Sequence, residues 1–394
     1  MIPPILLLWP TLLLVFLSPT ETIDPTLEDL INRNVDFGAR LYRAVASRTD
    51  NNVILSPFSV SAGMLALLSA TNGPTRDQLL QGLTLTGLDP ETLPDQFHIL
   101  RNLVLQRDAS QNLQHGMAIF PSQSLQVSES YQKLVQTKFE GQVQSLSYTV
   151  PAEAIDSISR WIQEQTGDQI QELLSTIDPQ TQLLVATATT YQSQFDPPFN
   201  SSSTQDERFY VDRYHVVMVP MMFQADKYFL AYDRVVKAGV LKLPMTDGTA
   251  MLVVLPDEDV DLTAVEEEMT LEKIQTWIQQ LKKTKLEVQL PRFLLEHSYT
   301  LKDVLQTLDI TMVFQDDADI SNMGEVKGAK LFQVHHKSVL TVDERVDHTS
   351  TSGGRLFSTP PPRLTINRPF IFIIYQQTTG SLLFMGRVTN PTEK

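Results

Sequence analysis

Two apolar, β-branched segments near the end of the chain enclose a stretch that has almost no apolar pattern. The segments are residues 334–344 and 366–391, and the stretch between them reads RVDHTSTSGGRLFSTPPPRLT. Because such a stretch cannot bury one face against a core, the pattern predicts an exposed, mobile loop that joins two strands. Its Phe-Ser step, Phe357-Ser358, stands close before three prolines. A loop of this kind offers one large aromatic side chain to a protease.

The rest of the chain combines helical and strand patterns. Apolar residues recur at helical spacing in residues 24–50, and Ser56-Pro57 marks the start of a second, strongly apolar helix. Residues 182–191 (QLLVATATTY) are apolar on both faces, as expected of a central strand. Strand patterns then dominate the second half of the chain. Together these patterns predict a single α+β domain with large sheets.

Two further helices are predicted in more ambiguous segments. Apolar residues keep helical spacing over residues 152–174, and the pattern also favours a helix over residues 261–283. The second of these ends in the basic run LKKTK at residues 281–285. This run is too short to indicate a heparin site, and we interpret it as a solvated helix end.

The overall charge and the absence of cysteine exclude several classes of function. The chain carries 46 acidic and 31 basic side chains, a formal net charge of −15, and its isoelectric point is near 4.9. A chain this acidic is not expected to bind nucleic acid or an anionic membrane surface. Because it has no cysteine, disulfide frameworks, thiolate nucleophiles and cysteine-ligated zinc are excluded.

The first residues indicate export from the cell. Residues 5–17 are apolar and are followed by polar residues, a length that suits the core of a signal peptide better than a membrane span. We therefore expect residues 1–21 to be a signal peptide and residues 22–394 to form one extracellular, monomeric domain. Asn200 begins a sequon with the spacing of a glycosylation acceptor, in a serine-rich stretch.

The chain lacks the signatures of common enzymes. The patterns GxSxG, HExxH and GxGxxG and the Walker loop are all absent. His335 and His336 are adjacent, and neighbours in a strand point to opposite faces. No metal site and no cofactor are therefore expected, and the sequence predicts that the protein is not an enzyme.

Several blocks of the chain resemble the serpin family. They include NVILSPFSVSAGMLALLSATNGPTRDQL, VLKLPM, LVVLPDE, a segment ending in FQDDADIS, and NRPFIFII followed by GSLLFMGRVTNP. The chain resembles the α1-antitrypsin-like extracellular group, and PFNSSSTQDERFYVD, DKYFLAYD and FSTPP resemble its branch of protein Z-dependent protease inhibitors. The resemblance covers residues 27–391. It implies a serpin fold with large mixed sheets, surrounding helices and an exposed reactive loop at about residues 345–362.

The resemblance also implies a mechanism. A serpin offers its loop to a serine protease, the protease becomes acylated on it, and the loop inserts into the main sheet and traps the enzyme. The implied partner is an extracellular serine protease, and a protein cofactor is left open. Phe357-Ser358 matches the scissile bond and suits a chymotrypsin-like enzyme. Counting back from Pro369 places the bond after Ser358 instead, and Arg355-Leu356 would suit a trypsin-like enzyme.

Further residues match a polar cluster of the family beneath its main sheet. Ser56, Ser59 and His336 occupy matching positions, and Thr187 stands where the family has asparagine. Buried hydroxyl and imidazole groups can exchange partners as strands separate. The strand that carries Thr187 also departs from the family pattern further on, at Ser193 in place of glycine and Phe195 in place of tryptophan.

The hinge at the start of the loop departs from the family pattern. Glu344 matches the hinge glutamate, and Arg292 occupies the position of its basic partner. The family then has small, uncharged residues, whereas this chain has Arg345, Val346, Asp347 and His348. Asp347 falls where the first buried threonine or serine is expected, and burying an unpaired carboxylate is costly. Residues 349–354 (TSTSGG), by contrast, are small throughout.

Two functions are therefore open. The first is a secreted inhibitor of serine-type endopeptidases that acts as a suicide substrate and is impaired by the degenerate hinge. The alternative is a non-inhibitory serpin that acts as a carrier, a binding protein or a protease substrate. The hinge sequence favours the alternative. The Phe-Ser step, the small-residue run and the retained Glu344 and Arg292 favour inhibition.

Phe357→Ala is expected to slow cleavage of the loop by chymotrypsin at least about tenfold, because burying a large aromatic side chain contributes about 2 kcal/mol to binding. Cleavage rates followed on denaturing gels check this, with Arg355→Ala as the control that slows trypsin instead. Equal chymotrypsin cleavage of the Phe357→Ala variant and the parent chain would show that the bond lies elsewhere.

Overall fold

The computed structural model describes residues 23–105, 113–325, 328–345 and 360–394. Its helices are α1 (Pro25–Ala46), α2 (Pro57–Ala70), α3 (Gly73–Gly82), α4 (Leu93–Val104), α5 (Glu129–Phe139), α6 (Pro151–Thr166), α7 (Leu262–Glu267), α8 (Leu271–Gln280) and α9 (Lys302–Thr307). None of these helices combines the length and the hydropathy that a bilayer crossing requires.

The strands of the described ranges are longer and more numerous in the second half of the chain. They are β1 (Val53–Leu55), β2 (Leu113–Pro121), β3 (Gln126–Val127), β4 (Gln142–Val143), β5 (Leu183–Tyr191), β6 (Gln205–Tyr210), β7 (Val216–Asp233), β8 (Ala238–Pro244), β9 (Thr249–Pro256), β10 (Lys282–Pro291), β11 (Phe293–Thr300), β12 (Gly324–Glu325), β13 (Gln333–Val342), β14 (Arg363–Thr365), β15 (Phe370–Gln376) and β16 (Leu382–Val388).

Two large sheets dominate this part of the fold. One has nine strands in the order β1-β16-β15-β9-β8-β7-β10-β14, with β6 paired to β7. The other has five strands in the order β11-β13-β5-β2-β4, and β12 and β3 form a separate pair. Both large sheets are mixed, because β14 runs parallel to β10 and β13 runs parallel to β5 among antiparallel neighbours. This arrangement confirms the predicted α+β class with large mixed sheets.

Helix α2 lies between the two sheets. The Ser56 side chain caps it by accepting a hydrogen bond from the backbone N–H of Ser59, and Pro57 takes the first helical position. Its residues are buried all round rather than along one stripe, as expected of a helix enclosed in a core. It contacts β2 and β5 of the five-stranded sheet and β16 of the nine-stranded sheet. The apolar run after Ser56 therefore joins the two sheets through one shared core.

Two predicted helices differ from their sequence patterns. The helix predicted over 152–174 ends before Gly167, which adopts a left-handed conformation and caps α6. The helix predicted over 261–283 is split into α7 and α8, because Asp261 and Thr270 each accept a capping hydrogen bond at a separate start. In both cases a local capping group ended a helix that the apolar spacing alone would continue.

The basic run at residues 281–285 is not a helix end. Helix α8 stops at Gln280, and Lys282 begins β10. The prediction of a solvated helix end is wrong because the alternating pattern of β10 extends back into this run. Since successive side chains of a strand point to opposite faces, Lys283 and Lys285 lie on one face of β10 and Lys282 lies on the other.

A buried ion pair fixes the last strand against the first helix. The Arg387 guanidinium lies 2.7 Å from a carboxylate oxygen of Glu266, and both side chains are buried. The second carboxylate oxygen of Glu266 accepts a hydrogen bond from the Tyr42 hydroxyl of α1. Arg387 also donates to the backbone carbonyls of Asn51 and Thr49. One carboxylate therefore ties α7 to both α1 and β16.

Glu266→Gln is expected to lower the free energy of unfolding by about 3–5 kcal/mol, because it leaves the Arg387 charge buried without its counter-ion. The midpoint of unfolding in guanidinium chloride measures this change. The neighbouring side chain of Glu267 is exposed, so Glu267→Gln is the matched control and should change stability by less than about 0.5 kcal/mol. Equal midpoints for the two variants would show that the buried pair does not stabilise the fold.

Candidate functional site

The two described ends of the C-terminal loop lie in different sheets. Strand β13 of the five-stranded sheet leads to Glu344, and β14 resumes at Arg363 in the nine-stranded sheet. Between them, seven of the predicted hinge and reactive-bond residues lie outside the described residues: Val346, Asp347, His348, Arg355, Leu356, Phe357 and Ser358. Their roles stay predictions.

Strand β13 pairs with β5 in parallel over its length. The register runs from Gln333 opposite Leu184 to Leu340 opposite Tyr191, with His336 opposite Thr187. Parallel pairing is slightly less stable per residue than antiparallel pairing. A chain that turned back after β13 would run antiparallel to both strands. If it were inserted between β5 and β13, it could therefore form an antiparallel pairing with each of them.

The carboxylate of Glu344 is held at the base of the loop by a bidentate ion pair. Arg292, between β10 and β11, donates from Nε to Oε2 and from Nη2 to Oε1, both at 2.8 Å. The hydroxyl of Thr204 donates a third hydrogen bond to Oε1. The structure thus brings together Glu344 and Arg292, the two residues matched to the hinge pair, although their role as a hinge is a prediction.

The protonation equilibrium of Glu344 reflects this contact. Burial alone would raise the pKa of the carboxyl group, but the hydrogen bonds from Arg292 and Thr204 outweigh burial and lower it. The same hydrogen bond to Glu344 raises the pKa of Arg292. Both groups are therefore ionised near neutral pH, and the pair acts as a charged contact between the two sheets.

A second set of polar contacts surrounds Arg345, which is the last residue that the structure describes before residue 360. Its guanidinium donates to the Gln192 side chain at 2.9 Å, and its backbone N–H donates to Asp343 at 3.1 Å. Gln192 in turn donates to Asp343 at 2.8 Å. Because Gln192 directly follows β5, these contacts tie the end of β5 to the chain that leaves β13.

His336 lies at the centre of a buried polar cluster between α2 and the five-stranded sheet. Its Nε2 accepts a hydrogen bond from the backbone N–H of Ser56 at 3.0 Å and lies 2.8 Å from the Ser338 hydroxyl. Since Nε2 is an acceptor, the ring proton resides on Nδ1, which donates to the Thr187 hydroxyl at 2.8 Å. The imidazole therefore connects α2, β5 and β13 through one neutral ring.

The other predicted members of this cluster lie nearby but play different parts. The hydroxyl of Ser56 accepts from the backbone N–H of Ser59 at 3.3 Å. The hydroxyl of Ser59 itself has no hydrogen-bond partner among the described residues. Ser338, which was not predicted from the sequence, contacts the imidazole directly. Its position two residues after His336 on the same strand face was a usable signal.

Burial also sets the protonation state of the histidines around the five-stranded sheet. Burial lowers the pKa of His336 to about 3, and nearby His115 reinforces the effect. Burial lowers the pKa of His335 to about 4 and that of His115, which is also close to Arg101, to about 3. All three rings are therefore neutral near neutral pH.

The remaining predicted residues lie in the segment that follows β5 in the chain. Phe195 packs edge-on against Phe199, with ring centroids 5.2 Å apart, and Ser193 is buried. Asn200 is only partly buried, and its side-chain oxygen accepts hydrogen bonds from the backbone N–H and the hydroxyl of Ser202 at 3.0 and 2.8 Å. Within residues 23–105, 113–325, 328–345 and 360–394, no group of three or more histidine, aspartate or glutamate side chains could hold a metal ion.

Comparisons with known proteins point to one family. The family model described as Serpin (serine protease inhibitor) matches residues 32–391. Protein Z-dependent protease inhibitor of Mus musculus is 32% identical over 373 residues, which cover 93% of this chain and 83% of the relative. The crystal structure of the mouse protein superposes with a TM-score of 0.87 at 32% identity, covering 93% of this chain and 98% of that one.

A ligand-binding protein is also similar at the level of structure. Human thyroxine-binding globulin, solved in complex with thyroxine, superposes with a TM-score of 0.86 at 26% identity and covers 93% of this chain and 99% of its own. The solved structures similar to this chain thus include a protease inhibitor and a thyroxine-binding protein.

Acid is expected to destabilise the native state through these buried histidines. A histidine with an unfolded pKa near 6.5 and a folded pKa near 3 binds its proton more readily when unfolded, so its contribution to stability is complete above about pH 6.5 and is lost as pH falls. For His336 the loss between pH 7.5 and 5.0 is about 2 kcal/mol. Denaturant midpoints at the two pH values measure it.

His336→Gln should remove one titrating group and reduce the pH dependence of the unfolding free energy by about 2 kcal/mol over this range. The side chain of His215 is 74% exposed, and His215→Gln is the matched control that should keep the full dependence. The explanation fails if the two variants lose the same amount of pH dependence.

Proposed function

The chain belongs to the serpin family, and from this premise we propose that it is a secreted inhibitor of serine-type endopeptidases that acts as a suicide substrate. The protease would attack the loop that follows Glu344, become acylated on it, and be trapped when the loop enters the five-stranded sheet. The observation that carries the proposal is the parallel pairing of β5 with β13, whose C-terminal end leads directly into the loop. The inserted segment would be a new strand, antiparallel to both neighbours.

The contacts at the ends of β5 and β13 would regulate this insertion. The Glu344–Arg292 pair and the Arg345–Gln192 contact must break before a strand can enter between the C-terminal ends of β5 and β13. Lower in the sheet, His336 bridges β13 to Thr187 of β5. Because its bonds are hydrogen bonds between polar side chains, they can be exchanged for bonds to an inserted backbone at little net cost.

Export and modification belong to the same proposal. We infer that residues 1–21 direct secretion and are removed, that residues 22–394 form a single serpin domain, and that Asn200 carries a glycan. Asn200 is partly exposed beside a short turn whose residues are not buried, and this position, together with its sequon, supports the last point. The protein partner would be an extracellular serine protease of chymotrypsin-like preference, bound by a monomer.

A second candidate is a non-inhibitory serpin that acts as a carrier, a binding protein or a protease substrate. The observation that favours it is the hinge, where Arg345 is charged and engaged in hydrogen bonds with the chain on either side. The similarity to thyroxine-binding globulin, whose structure holds thyroxine, supports the same reading. In this case cleavage of the loop would proceed without trapping the protease.

Incubation with chymotrypsin and with trypsin, followed by a denaturing gel, tests the proposal. The expected result is a boiling-resistant band at the summed mass, together with a cleaved chain that unfolds at a much higher temperature than the intact chain. Clean cleavage with full residual protease activity and an unchanged unfolding temperature would overturn inhibition and favour the second candidate.

Substitution of the hinge aspartate, Asp347, tests the same proposal through the rate at which the protease is trapped. Asp347→Thr is expected to increase the rate of trapping at least about tenfold, since burying an unpaired carboxylate costs more than about 1.4 kcal/mol. Asp50 is exposed, and Asp50→Thr is the matched control that makes the same substitution on the surface. Equal trapping rates for Asp347→Thr and the parent chain would rule out a buried carboxylate as the obstacle.

A further inference from the structure

A cleft lies at one edge of the five-stranded sheet, where β4 is the outermost strand. We call it the edge cleft, and it is lined by Gly141, Gln142 and Val143, by Gln165 of α6 and by a row of side chains from α5. Its volume of about 700 Å³ is typical of ligand sites in proteins. One strand edge and two helices therefore meet in a single concave surface.

The backbone at this edge has hydrogen-bonding groups that the sheet does not use. Gln144 and Leu146 donate their backbone N–H groups to carbonyls of β2 at 3.0 and 2.9 Å. Because alternate residues of a strand direct their backbone groups to the same neighbour, Val143 and Ser145 face away from β2. Among the residues that the structure describes, the backbone groups of Val143 and Ser145 have no hydrogen-bond partner. Such an edge can pair with a further strand.

Helix α5 and its cap contribute one continuous row of polar side chains. Gln132, Gln136 and Glu140 all line the edge cleft and follow each other at intervals of four residues, a spacing that places side chains on one face of a helix. From Gln132 to Glu140 a helix rises by about 12 Å, which is close to the length of about four residues in an extended strand. The row is thus long enough to accompany a short strand.

The edge cleft is nearly neutral in a protein whose net charge is −15. The acidic side chain that lines it, Glu140, lies 2.7 Å from the guanidinium of Arg101, so its charge is balanced. The other polar side chains that line the cleft belong to four glutamines. Because a charge that is buried without a counter-ion is costly, this lining favours a neutral, polar partner over a charged one.

The glutamine side chains suit a peptide backbone, because each carboxamide offers two N–H donors and an acceptor oxygen. Within the described part of the chain, the amides of Gln136 and Gln165 form no hydrogen bond. Those of Gln132 and Gln142 each donate one long bond, at 3.3 Å. Each of the two helices therefore supplies one amide whose donors and acceptor are free.

We propose that the edge cleft binds an extended, uncharged peptide segment of a partner protein, which adds to β4 as a further strand of the five-stranded sheet. Hydrogen bonds between the main chains, at Val143 and Ser145, would hold the segment in register. The amides of Gln136 and Gln165 would bind its remaining polar groups. A carbohydrate could also bond to the amides, but it would leave the strand edge unused. This inference does not depend on whether the loop traps a protease.

A fluorescently labelled pentapeptide of alternating threonine and valine, blocked at both ends, is the probe that tests the proposal. Its binding to the full chain is followed by fluorescence anisotropy. We expect saturable binding, and the double variant Gln136→Ala/Gln165→Ala should weaken it at least about tenfold, because two side-chain partners are lost.

The matched control is the double variant Gln169→Ala/Gln180→Ala. Both of these glutamines are exposed and lie outside the edge cleft, so the control should bind the peptide within about twofold of the parent chain. The thermal unfolding midpoint should be the same for both double variants. An equal loss of affinity in the two variants would overturn the assignment to the edge cleft.

N-methylated peptides distinguish addition at the edge from insertion between β5 and β13. A strand at an edge pairs through one side only, whereas an inserted strand pairs through both. The peptide methylated at its valine nitrogens keeps one complete side, so it should bind within about threefold of the parent peptide, and methylation of every residue should weaken binding at least about tenfold. Equal losses for the two methylated peptides would overturn edge addition.

A neutral oligosaccharide, maltopentaose, tests the other class of ligand. It should fail to displace the bound peptide, because it cannot pair with the backbone of β4. Tighter binding of maltopentaose than of the peptide would overturn the proposal in favour of a carbohydrate, and the absence of peptide binding up to about 1 mM would also overturn it.

Discussion

The parallel pairing of β5 with β13 is the constraint on which the rest of this structure depends. Both strands lie in the interior of the five-stranded sheet. Every residue of β5 is buried, and β13 is buried except at Gln333, Lys337 and Thr341, which are partly exposed. Their facing positions carry polar groups where a stable core would have apolar ones, above all His336 opposite Thr187. Strands β5 and β13 are therefore held together by parallel pairing, which is the less stable kind, and by side chains that can form other hydrogen bonds.

The contacts at the base of the loop connect this central pairing to the other sheet. Arg292 follows β10 of the nine-stranded sheet directly and holds Glu344, which follows β13 of the five-stranded sheet. The carboxylate is buried, so its charge is tolerated only because three hydrogen bonds reach it. Any movement of the chain after β13 must break this contact, which couples the start of the loop to the junction of the sheets.

The sequence predicted those elements whose signal is local. The alternating or fully apolar runs of β5 and β13, and the apolar run after Ser56, were readable from spacing alone. The Glu344–Arg292 contact was matched through resemblance to a family, since two residues 52 positions apart carry no local sign of contact. The side chain of Thr204 joins the same carboxylate only because of the path of the chain after β5.

The polar groups of β5 give a physical reason for the sheet to accept a new strand. The hydroxyl groups of Thr189 and Thr190 are buried and have no hydrogen-bond partner among the described residues, as is also true of Ser59 beneath the sheet. A buried polar group without a partner costs about 1–3 kcal/mol, unless water or a rearranged neighbour satisfies it. A strand inserted beside β5 would separate it from β13 and bring new donors and acceptors to these positions. Two antiparallel pairings would also replace one parallel pairing. If the proposed insertion takes place, new neighbours of β5 could satisfy these hydroxyl groups, and this gain would favour the expanded sheet over the closed one.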